Sequence, residues 1–90
     1  MRTVWRYALE FNPPITKIEV PVGAKPLFVG LQNGVPQLWM EINLANDMET
    51  ERETRTFEFI GTGHNAPMNG KYLGTVLMYS DTLVLHLYEI

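Results

Sequence analysis

The sequence predicts an all-β fold, a small antiparallel sandwich or barrel of about seven strands. Three observations predict it. Two pairs of apolar runs each flank a tight polar turn, at Asn33-Gly34 and at Ser80-Asp81. Within the runs, β-branched and aromatic residues alternate with the period of two that a pleated strand imposes. Proline and glycine separate the runs where the chain must turn.

Thr3 to Leu9 forms the first expected strand, with Val4, Arg6 and Ala8 on one side and Trp5, Tyr7 and Leu9 on the other. Asn12-Pro13-Pro14 ends it, because proline lacks a donor and restricts the residue before it. Ile15 to Val20 follows as a short strand half in water, and Pro21 to Pro26 is read as a connection.

Asn33-Gly34 is the preferred pair for a type I′ hairpin turn. Counting outward from it sets Leu31 opposite Pro36, Val29 opposite Leu38 and Leu27 opposite Met40. The other side pairs Gly30 with Gln37 and Phe28 with Trp39. Pro36 falls outside the hydrogen-bonded pair, so its missing N–H points outward and places the outer side of its own strand at an edge or near an end there. Asn46 to Thr54 is charge-rich with no apolar stripe, and reads as a solvated loop. Arg55 to Ile60 returns to strand, with Phe57 and Phe59 on one face.

Lys71 to Ile90 closes the chain as a hairpin about Ser80-Asp81. Counting outward pairs Met78/Leu83, Val76/Leu85 and Gly74/Leu87 on an aliphatic face that should be core. Leu77/Val84, Thr75/His86 and Leu73/Tyr88 lie on the other. That second face is apolar too, with a hydroxyl and an imidazole set into it. Either a crossing strand covers it or the protein self-associates, a symmetric dimer being the commonest closed assembly.

Ninety residues, 46% of them apolar and 19% charged, suit one folded domain spanning residues 1–90. No cysteine is present, which removes disulfides, thiolate metal sites and cysteine nucleophiles. A net charge of −3 with scattered basic residues argues against binding a nucleic-acid polymer. A single small anion needs only a few local donors. Neither a secretion signal nor an apolar run near membrane-spanning length is seen, so no membrane partner is expected.

The candidate ligand site is the turn Gly61-Thr62-Gly63-His64, whose glycines let backbone N–H groups approach an anion. Arg55 and Lys71 are the added cations. The competing reading is structural, since glycines at a strand end commonly permit a turn or bulge. Candidate stacking or interface residues are Phe28, Trp39, Thr75, His86 and Tyr88. Glu41, Glu58 and Glu89 are isolated strand residues that alternation places toward solvent. No paired carboxylates, nucleophilic serine or metal-ligand set is recognisable, so no enzyme activity, metal or cofactor is expected.

The segments TVWRYAL, VPVGAKPLFVGLQNGVPQLW, RTFEFIGTGH and KYLGTVLMYSDTLVLHLYE resemble a family of small proteins from tailed phages and prophages, known only as a domain of unknown function. The resemblance covers nearly the whole chain, and its most specific parts are GTGH, KYxGT and HLYE. It implies a viral accessory protein working in the host bacterial cytoplasm, and carries no catalytic residue over. The expected function is a non-enzymatic binding protein acting on a host process. It would antagonise host defence by sequestering a small nucleotide signal or by blocking a host protein. The alternative is a minor virion or assembly component.

Overall fold

The computed structural model describes residues 1–44 and 51–90. Seven antiparallel strands make up two sheets, β1 (Arg2–Ala8), β2 (Ile15–Pro21), β3 (Lys25–Gln32), β4 (Val35–Asn43), β5 (Arg52–Gly61), β6 (Lys71–Met78) and β7 (Leu83–Glu89). The three-stranded sheet runs β1-β4-β3 and the four-stranded sheet β2-β5-β7-β6. They face each other as a sandwich, and the described residues contain no helix.

Period-two alternation decides which side of each strand is buried. Leu38, Met40 and Ile42 of β4 have no exposed surface and meet Phe57, Phe59, Val76 and Leu87 from the opposing sheet. Each such side chain contributes about 1.5–3 kcal/mol by leaving water. Trp5 and Tyr7 also point inward and pack against this core.

Both hairpins form at the expected places. Asn33 and Gly34 have φ of 52° and 77°, as a type I′ turn requires, and Leu31↔Pro36, Val29↔Leu38, Gly30↔Gln37 and Phe28↔Trp39 pair as counted. Pro36 lies on central strand β4, just beyond Ala8↔Gln37, where the ladder of β1 stops. Its missing donor therefore breaks no pair. At the second turn Ser80 and Asp81 have φ of 54° and 68°, and the Thr82 N–H donates to the Tyr79 carbonyl at 3.1 Å.

Two expected pairings are corrected. Pro26, not Leu27, faces Met40, and Tyr72, not Leu73, faces Tyr88. In each case one residue bulges out of the ladder, Leu27 in β3 and Leu73 in β6, and the register beyond it slips by one. Strand boundaries also move, by one to three residues. Pro21 is the last residue of β2, Lys25 and Pro26 belong to β3, and β5 begins at Arg52 rather than Arg55. The segment expected as a charged loop therefore gives Arg52, Glu53 and Thr54 to a strand; its residues 46–50 lie outside those described.

Candidate functional site

β3 and β6 are the edge strands of their sheets on the same flank of the sandwich, and they meet there without a shared ladder. Close contact is possible because Gly74 lacks a side chain: a β-carbon there would collide with the Cγ1 methyl of Val29. Immediately beyond that contact both strands bulge. The seam opens into a cavity of about 230 Å³ bounded by Lys25, Leu27, Phe28, Lys71, Tyr72 and Leu73, with Leu38 also lining it. Both bulge residues thus line one opening.

Two aromatic pairs frame it. Phe28, 63% exposed, lies 5.8 Å from the half-buried Trp39 ring, and Tyr72, 53% exposed, lies 5.6 Å from the half-buried Tyr88 ring at an interplanar angle of 63°. Phe28 also lies over Gly30, where an added β-carbon would come within 2.5 Å of its ring. Tyr88 is backed by Gly70, whose β-carbon would come within 3.2 Å of it. Trp39 and Tyr88, expected as stacking surfaces, are therefore the inner member of each pair. Phe28 and Tyr72 are the outer rings. Lys25 and Lys71 are exposed, and among the described residues neither is in an ion pair.

The predicted anion site is divided. Gly61 to His64 closes as a turn in which the His64 N–H donates to the Gly61 carbonyl at 3.1 Å and Gly63 has φ of 89°. That is the third position of a type II turn, where glycine is needed, so the structural role is realised at Gly63. The His64 amide is spent in closing the turn. Gly61, Thr62 and His64 line a wider opening of about 610 Å³ with Phe59, Leu83 and Leu85.

Arg55 does not join that turn. It lies six residues back along β5, about 20 Å at strand rise. Its guanidinium is held by both carboxylate oxygens of Glu89 at 2.6 and 2.9 Å, and it donates to the Ala24 carbonyl. The hydrogen bond to Glu89 raises the Arg55 pKa above its ordinary value, its negative charge and that of Glu53 add to this, and burial opposes it. Glu89, expected to face solvent, is instead turned inward by this pair, with 18% of its side chain exposed. Lys71 lies at the seam, near the opposite end of the ribbon from Gly61, because it pairs with Glu89 while Gly61 pairs with Leu85.

The candidate interface residues also separate. Phe28 and Trp39 are on the outer face of the three-stranded sheet; Thr75, His86 and Tyr88 are on the outer face of the other. They approach one another only around the seam. On the latter face Tyr72 Oη is hydrogen-bonded to Thr75 Oγ1 at 2.5 Å, and Thr75 Oγ1 to His86 Nδ1 at 2.9 Å. His86 Nε2 completes the line with Thr62 Oγ1 at 2.8 Å. His86 is thus bonded to two threonine hydroxyls and not to His64.

Sequence reasoning missed Lys25 and the two bulges. A signal existed for each bulge: Pro26 precedes Leu27 and Gly74 follows Leu73, and both residue types inside a strand mark such irregularities. Among the described residues no group of three or more His, Asp and Glu is placed to hold a metal, and no helix is long and apolar enough to cross a membrane.

All ninety residues match the family described as a domain of unknown function, DUF7352. The chain belongs to this family. No curated protein and no solved structure matches it at a significant level.

Proposed function

We infer that this protein is a non-enzymatic binding protein that holds a small planar anion of the nucleotide class in the β3/β6 seam. One observation carries the reading: two bulges open the cavity between an exposed aromatic ring on each strand, with an exposed lysine on each strand at its rim. A base between Phe28 and Tyr72 gains about 1–3 kcal/mol from stacking. The ammonium groups of Lys25 and Lys71 meet its phosphate. At about 230 Å³ the cavity is smaller than typical drug-sized sites of about 300–1,000 Å³, which suits the ring inside and the phosphate outside.

The same residues speak against catalysis. Glu89 is neutralised by Arg55, and His86 is bonded on both nitrogens. Resemblance to small phage and prophage proteins supports a setting in the host bacterial cytoplasm, where sequestering a signalling nucleotide would blunt a host response, defence included. Self-association belongs to this reading, through the outer face of the four-stranded sheet where Leu77 is 47% exposed. Sedimentation of wild type and Leu77→Lys compares the assembled and separated forms.

The ligand test is a melting curve with a panel of cyclic and linear nucleotides. A ligand at 100 times its Kd stabilises the native state by about 2.7 kcal/mol. Phe28→Ala and Lys71→Ala should each remove the shift, read against each variant's own unliganded melt. Unmoved curves with every nucleotide at millimolar concentration would sink the reading.

A further inference from the structure

Three sequence segments, GTGH, KYxGT and HLYE, lie on different parts of the chain yet share one hydrogen-bonded line. Thr62 comes from the first, Tyr72 and Thr75 from the second, and His86 from the third. The line begins at a turn on the end of β5 and finishes on Tyr72, which borders the seam. The bulge at Leu73 makes this possible. It slips the register so that Tyr72 shares the outer face with Thr75 and His86 instead of pointing inward.

We propose that Thr62, His86 and Thr75 are positioning residues for the seam ligand, which set the Tyr72 hydroxyl as a hydrogen-bond donor toward an anion. The inference rests on the seam reading. A neutral imidazole donates from one nitrogen and accepts at the other. With the proton on Nδ1, the ring donates to Thr75, Thr75 donates to Tyr72, and the Tyr72 O–H is left to donate into the seam; Thr62 donates to Nε2. With the proton on Nε2 every direction reverses, Tyr72 donates to Thr75, and only its lone pairs face the seam. An anionic group there therefore selects the first arrangement, and the choice is felt as far away as Thr62. Phe at position 72 would stack equally well but would lack this directional group.

The experiment titrates the full chain with the four ribonucleoside 5′-monophosphates, following the His86 ring nitrogens by NMR. For the monophosphate that binds most tightly, saturation should drive His86 to the Nδ1–H form. Thr75→Val should weaken binding about five-fold, the loss of roughly one hydrogen bond, and Thr75→Ser should restore it. Tyr72→Phe should match Thr75→Val, and keeps the test open if the valine variant fails to fold. Binding that is unmoved by both variants, or a bound state with the Nε2–H form, overturns this inference alone. If none of the four binds, the titration is run with the tightest binder of the wider cyclic and linear panel; if the whole panel fails, the nucleotide reading falls and this inference with it.

Discussion

A methyl group of Val29 in β3 fills the space that a β-carbon on Gly74 in β6 would need. Val29 is a stiff, buried side chain, so the clash cannot be relieved by a rotamer change alone. Gly74→Ala should cost about 1–3 kcal/mol in urea unfolding, the usual range for overpacking. Adding Val29→Ala should recover part of that loss. A double variant that is simply the sum of the single ones would mean that the two residues are not coupled.

The Arg55–Glu89 pair ties the last strand to β5 and to the connection at Ala24. Its side chains are only 16% and 18% exposed, so salt screens it weakly. Glu89→Gln should cost about 2 kcal/mol, the scale of a charge-assisted hydrogen bond. The loss should be nearly the same in low salt and in 1 M sodium chloride. If salt erases the difference, the pair is a surface contact.

Tyr7 has a buried hydroxyl without a hydrogen-bond partner among the described residues. Burial raises its pKa above the ordinary value, with the Arg52 charge working in the opposite direction. Above about pH 10 the native chain therefore holds more protons than the unfolded one, and stability falls as pH rises. Tyr7→Phe should gain about 1 kcal/mol at neutral pH by removing the unsatisfied group. It should also flatten the alkaline fall, as followed by denaturant midpoints from pH 8 to 11. An equally steep fall in the variant would assign the effect elsewhere.

Tyr79, Ser80 and Asp81 all have positive φ, from 53° to 68°, and none is glycine. Left-handed backbone is disfavoured for such residues, and type I′ turns prefer Asn-Gly. Replacing Ser80-Asp81 by Asn-Gly should therefore stabilise the protein by about 0.5–1 kcal/mol in thermal melts. No gain would mean that local contacts, such as that between Thr82 and the Tyr79 carbonyl, already compensate.

Local pairing was readable from the chain, while its global arrangement was not. Thr75 opposite His86 and Phe28 opposite Trp39 follow from counting outward from a turn, because a ladder transmits register rigidly. The count failed at Leu27 and Leu73, where an extra residue leaves only a neighbouring proline or glycine as its mark. Nor could turns reveal that β1 pairs with β4 and β2 with β5, since those partners are distant in sequence. The candidate site suffered accordingly. Lys71 and Phe28, named from the sequence for two different candidate sites, come together at the seam, whereas Arg55 is held by Glu89 away from the Gly61–His64 turn, because that engagement depends on long-range strand order.

β3 and β6 touch without belonging to one ladder. A guest entering between them would have only side chains to push aside, with no backbone hydrogen bond to break. This flank can therefore widen without breaking a ladder hydrogen bond of either sheet.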